Sequence, residues 1–158
     1  MCGNYSLALK TLYYSLPNKC NNSFTITDIT TEQRQLIAST SHSKLITDMK
    51  LFERKSVAEN PSTPALTLKL LATDKNKDVR TDVANNPNIP AETLTLLASD
   101  KNENVRTDVA NNPNTPAEIL KLLATDTDGY VRNSVGNNSS TPAEILKLLA
   151  TDKNKNAL

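Results

Sequence analysis

At 158 residues, with 37% apolar and 4% aromatic residues and no Trp, the chain can form one domain or a short repeat array, but not an aromatic core. Eighteen Lys and Arg stand against 17 Asp and Glu, so composition supplies no basic excess for nucleic acid or anionic lipid. No apolar run approaches the roughly 20 residues needed to cross a bilayer, and Met1-Cys2-Gly3-Asn4-Tyr5 does not open a secretion signal, which points to a cytoplasmic protein.

Leu9, Leu12, Tyr13 and Leu16 follow the i, i+3, i+4, i+7 spacing of an amphipathic helix, which predicts a helix from about Tyr5 to Leu16. Pro17 to Asp28 reads as a polar loop. Thr31 to Phe52 reads as a degenerate opening repeat, because Leu45-Ile46-Thr47-Asp48 lies in register with Leu71-Ala72-Thr73-Asp74. Residues 1–52 are therefore expected to cap the array that follows. Five of the six aromatic residues lie in that segment, and a partner site using Tyr5, Tyr13 and Tyr14 is the alternative to a plain cap. Cys2 and Cys20 are too few to complete a four-ligand metal site, and His42 has no second ligand near it in sequence.

From Glu53 the chain repeats every 26 residues without insertion: 53–78, 79–104, 105–130 and 131–156. Each unit carries two helical signals. The first is short: Val105, Val109 and Ala110 share one face, and Asn111-Asn112-Pro113-Asn114 stops it, because proline cannot continue the helical ladder. One or two turns fit, of α or the tighter 3₁₀ kind. The second signal is stronger. In Thr115-Pro116-Ala117-Glu118, Thr is placed to cap, Pro to fill the first turn and Glu to close a capping box; Thr141-Pro142-Ala143-Glu144 repeats it, while Ile89 and Leu66 each break one half in their units. Leu120, Leu122, Leu123 and Ala124 then form a stripe wider than a one-sided surface helix needs, as a helix packed between neighbours would require. A lone 26-residue unit cannot bury such a stripe, so stacking must complete it.

The template V-R-x-x-V-A-x-N-P-x-x-P-x-x-x-L-x-L-L-A-x-D, carried by residues 53–156, resembles the variant leucine-rich repeat family, with a more distant likeness to HEAT repeats through the D-x-x-x-x-V-R junction at Asp74–Arg80 and Asp126–Arg132. The resemblance implies an all-α, right-handed solenoid of alternating α and short 3₁₀ helices, without the β-sheet of ordinary leucine-rich repeats. One member of the family holds an iron–sulfur cluster in a cysteine-rich N-terminal extension; this chain departs from that pattern, and no cofactor is carried over.

No catalytic constellation is visible. A catalytic group is needed once, whereas a packing group is needed in every unit, and Arg54, Arg80, Arg106 and Arg132 recur with Asp74, Asp100, Asp126 and Asp152. These are expected to join successive repeats by charge-assisted hydrogen bonds. Asn60, Asn86, Asn112 and Asn138 are expected to satisfy backbone groups of their turns. Asp126-Thr127-Asp128-Gly129 lacks the further ligands of a calcium loop.

What remains is a binding surface. On the short helix, Thr107 lies about 200° and Asn111 about 240° around from Val105. Their equivalents are Lys55, Glu59, Thr81, Asn85, Asn133 and Asn137, which vary between units more than the core does. The expected function is a non-enzymatic protein-binding repeat module, a scaffold or regulator of a macromolecular partner. The alternative is a nucleic-acid-binding solenoid that uses its basic terminal repeats, disfavoured because units 79–104 and 105–130 each carry four carboxylates against two basic residues. Ile145, Leu146, Leu148 and Leu149 stay as apolar as in the unit before, which suggests self-association at the last repeat.

Overall fold

The computed structural model describes residue 46 and residues 48–151. The expected helix over 5–16, the loop over 17–28 and the residues Cys2, Cys20, His42 and Asp152 lie outside the described residues. The chain divides after Lys50, and the helical array belongs to the unit that begins at Leu51.

Every element in the array is an α-helix: α1 (Leu51–Glu59), α2 (Ala65–Leu71), α3 (Lys77–Asn85), α4 (Ala91–Leu97), α5 (Glu103–Asn111), α6 (Ala117–Leu123), α7 (Gly129–Asn137) and α8 (Ala143–Ala150). Like positions recur every 26 residues in the order long helix, short helix. The odd-numbered helices pack on one another in series. Each even-numbered helix packs against the odd-numbered helix of its own unit, and α2, α4 and α6 also pack against that of the next. The architecture is an all-helical repeat stack, as the sequence implies.

The helix taken from sequence as the shorter one is the longer, and it is α rather than 3₁₀. It spans nine residues, about two and a half turns, against seven in α2, α4 and α6. The reason lies upstream of the valines. The Asn76 side chain accepts the Asp78 amide at 2.7 Å, Asn102 accepts the Asn104 amide at 3.1 Å, and Asp128 accepts those of Tyr130 and Val131 at 2.8 and 3.2 Å. These caps start the helix two residues before the first buried valine. At its far end the Asn before proline is extended, with ψ 126° at Asn86 and 124° at Asn112, as the following ring requires.

The capping box drawn on the even-numbered helices does not form. Pro116 and Pro142 occupy the N-cap position, with ψ 150° and no side-chain cap bond. Thr115, buried, instead donates its hydroxyl to the Val109 carbonyl at 2.6 Å, and Thr141 donates to Val135 at 2.6 Å. A hydroxyl one residue outside the cap points back toward the end of the preceding helix. There the last-turn carbonyl, which also accepts the cap amide at 3.3 Å, takes the hydroxyl as a second donor. Ile89, in the equivalent position of its unit, fills the place with apolar contact and is 5% exposed.

The core is a double column. Val79, Val83 and Ala84 of α3, Val105, Val109 and Ala110 of α5, and Val131 and Val135 of α7 have no exposed surface. Opposite them lie Leu68 and Leu71, Leu94 and Leu97, Leu120 and Leu123, and Ile145 and Leu149. Each such side chain contributes on the order of 1.5–3 kcal/mol through burial. The third leucine of the stripe faces outward: Leu96, Leu122 and Leu148 are 48%, 54% and 44% exposed. The stripe is thus narrower than its composition suggests.

One column is imperfect. Thr67 and Thr93 are fully enclosed and their hydroxyls have no hydrogen-bond partner, whereas Ile119 and Ile145 hold the same place in the next two units. A buried unpaired hydroxyl costs about 1–3 kcal/mol. Thr93→Val, which keeps the shape and removes the polar atom, is expected to raise stability by about 1 kcal/mol. An unchanged or lowered denaturant midpoint would contradict the assignment of that hydroxyl as unpaired.

Candidate partner-binding surface

Two sets of side chains hold the repeats in register and so set the spacing of the outer surface. The arginines form the first. The Arg80 guanidinium binds both oxygens of Asp100, and Arg106 binds both oxygens of Asp126 at 2.7 and 2.9 Å. These pairs lie 20 residues apart and close a single unit, tying the odd-numbered helix to the turn that follows its even-numbered partner. The bond between units is a different one. Arg80 Nη1 donates to the Asp74 carbonyl at 2.7 Å, Arg106 to the Asp100 carbonyl at 2.8 Å, and Arg132 to the Asp126 carbonyl at 2.7 Å. One planar fork therefore serves both purposes, which an ammonium could not.

The electrostatics follow. Burial pushes the Asp100 and Asp126 carboxyls up, but the guanidinium and the amide two residues on, at Asn102 and Asp128, outweigh it and hold both carboxyls below the usual range. Arg80 and Arg106 are raised by the same bonds, against the opposing effect of burial.

The asparagines just past the end of each odd-numbered helix form the second set, and they do more than close their turns. Each keeps its oxygen for the amide two residues ahead, as Asn112 does for Asn114 at 2.9 Å. Each sends its amide nitrogen back one repeat. Asn86 donates to the carbonyls of Ala58 and Asn60 at 2.7 and 2.9 Å, Asn112 to that of Ala84 at 2.7 Å, and Asn138 to those of Ala110 and Asn112 at 2.6 and 3.0 Å. Two residues on, Asn88, Asn114 and Ser140 donate to the carbonyls of Pro61, Pro87 and Pro113. This Asn and the polar residue two positions on, N-P-N in two of the four units, are thus a connector between units. The recurrence of the first Asn in every copy was the available signal, but only the stacked geometry shows where the donors go.

The expected outer row lies at the surface. Lys55, Thr81, Thr107 and Asn133 are half-buried, and Glu59, Asn85, Asn111 and Asn137 are exposed. Several row residues also reach a neighbour. Lys55 Nζ lies 3.6 Å from Asp82 Oδ2, Thr81 and Asn85 offer neutral donors that favour the charged Asp108 carboxyl, and Asn137 donates to Asn133 at 3.0 Å. Sequence reasoning missed Asp82 and Asp108, which the row partly serves. Their signal was the alternation of Ser56, Asp82, Asp108 and Ser134 at one repeat position. An open notch between the turns before α3 and α5 is lined by Lys75, Asn76, Lys77, Asp78, Arg80, Lys101 and Asn102, none of which belongs to the row. Among the described residues no three His, Cys, Asp or Glu side chains gather to hold a metal, and no described helix is long and apolar enough to cross a membrane.

Helices paired in sequence, stacked in register and joined by a bond set that recurs with each unit define a helical repeat protein. The model of the leucine rich repeat variant family matches residues 78–102 and 103–128, so these two units are leucine rich repeat variant repeats. The helix pairs on either side continue their 26-residue spacing. No curated protein and no solved structure matches the chain.

Proposed function

We propose that the array is a non-enzymatic binding module that holds a protein partner along the outer row of its odd-numbered helices: Lys55, Glu59, Thr81, Asn85, Thr107, Asn111, Asn133 and Asn137. The observation that carries this reading is the contrast between the two sides of those helices. On the inner side, valines and the carbonyl-directed Asn and Arg side chains recur with every unit. On the outer side, residues at the same spacing are exposed or half-buried and change from Lys and Glu to Thr and Asn. A regular scaffold presenting a varied row is how solenoids commonly bind extended surfaces.

Affinity capture from native lysate tests it with three baits: the wild-type chain, Thr107→Arg/Asn111→Arg, and the control Lys121→Glu on the exposed side of α6. A protein retained by the wild type and the control but lost from the row variant is the expected result. Identical capture by all three baits, or capture abolished by nuclease, would overturn the reading.

Self-association at α8 is the second part of the proposal. Leu146 is 38% exposed, whereas its equivalents Leu68, Leu94 and Leu120 are fully buried under the following unit. Light scattering that gives a strict monomer at high concentration would remove it.

A further inference from the structure

Successive odd-numbered helices meet along a column that holds Asp82 on α3, Asp108 on α5 and Ser134 on α7, whose equivalent on α1, Ser56, is exposed. The Asp82 side chain is 15% exposed, and its Oδ2 is buried without a hydrogen-bond donor. Only the Lys55 ammonium of α1, at 3.6 Å, offsets the charge, and the nearby Glu59 of α1 and Asp78 of α3 oppose that help. Asp108 meets neutral donors from α3, Thr81 and Asn85.

The other charges on the packed elements are occupied or turned outward. Arg80 and Arg106 hold Asp100 and Asp126, and Arg132 donates to the Asp126 and Thr127 carbonyls. Lys77, Glu103 and Tyr130 are exposed, as are Lys69, Glu92, Glu118 and Lys121 on the even-numbered helices. At the next junction the same place is taken by Ser134, buried and uncharged. The fold therefore accommodates a small neutral residue where two of its junctions carry a carboxylate.

We infer that these two junctions are proton-operated: the Asp82 and Asp108 carboxylates loosen the α1–α3 and α3–α5 contacts at neutral pH, and proton uptake tightens them, while the Ser134 junction does not respond. Burial pushes both carboxyls above the ordinary carboxylate range, with Lys55 partly offsetting the effect at Asp82 and Asn85 and Thr81 at Asp108. For such a group the charged form is disfavoured in the folded state. Stability then rises as pH falls through the folded value toward the unfolded value near about 3.9. The Arg80–Asp100 and Arg106–Asp126 pairs work the other way, but only at lower pH, because those carboxyls are held down.

Urea unfolding of the full chain from about pH 7.5 to about pH 5 tests the inference. The wild-type midpoint is expected to rise as pH falls. Asp82→Ser/Asp108→Ser is expected to have the higher midpoint at neutral pH and to lose the rise. Asp82→Asn/Asp108→Asn, neutral and isosteric, is expected to flatten the pH response as well. A wild-type midpoint that is flat or falls over this range, or a double variant that keeps the wild-type rise, would overturn it.

Discussion

Asp100→Ala is expected to lower stability by about 3–5 kcal/mol, the largest single effect foreseen for this array. The side chains of Arg80 and Asp100 are 6% and 8% exposed, so removing the carboxylate leaves a guanidinium with little access to water. The same carboxylate accepts the Asn102 amide at 2.9 Å, so the turn into α5 loses its stay as well. The measurement is equilibrium unfolding in urea, read as a drop in midpoint at constant slope. Removing both charges by Arg80→Met/Asp100→Leu is expected to recover much of the loss, because the cost of Asp100→Ala lies mainly in the stranded charge. A loss below about 1 kcal/mol would mean that the pair behaves like an exposed surface bridge. The pH sense is fixed by direction. The Asp100 carboxyl sits below its ordinary range, so its contribution is complete above the unfolded value near about 3.9 and is lost as pH falls below that.

Asn112→Ala is expected to cost about 2–4 kcal/mol, since two backbone groups in neighbouring repeats lose partners together. The Ala84 carbonyl at the end of α3 loses its donor at 2.7 Å, and the Asn114 amide loses its acceptor at 2.9 Å. The first of these is a buried bond, and a buried group left unpaired carries its full desolvation cost. Asn114→Ala is the internal comparison. It breaks only the exposed bond to the Pro87 carbonyl at 2.8 Å and is expected to cost about 1 kcal/mol or less. Unfolding midpoints for the two variants side by side decide the matter: equal losses would show that the ladder through Asn86, Asn112 and Asn138 is not what joins the units.

These expectations rest on different grounds of legibility. The arginines and aspartates were marked in sequence by recurrence, and the pairing was anticipated, but the pairs close a unit where they were expected to bridge two. The bridge is made by Nη1 to a main-chain carbonyl, which no side-chain pattern can display. Thr115 illustrates the same limit. Its place beside Pro116 and three residues before Glu118 fits a capping box, yet its hydroxyl serves Val109 because that carbonyl is nearer in the packed unit. The row from Lys55 to Asn137 follows from helical spacing, and four of its eight residues are exposed and four half-buried, while its contacts with Asp82 and Asp108 belong to stacked neighbours.

The sequence by itself determined the period of 26, the two helices in each unit, the proline-enforced stop after Asn86 and Asn112, and the valine positions that face inward. Those are local matters of backbone geometry and hydrophobic spacing. Tertiary structure alone decided which donor meets which carbonyl, that Leu96 and Leu122 turn outward, and that two carboxylates lie between successive helices. A repeat pattern states which residues are equivalent, whereas a bond across a junction depends on the distance and direction set when one unit rests on the next.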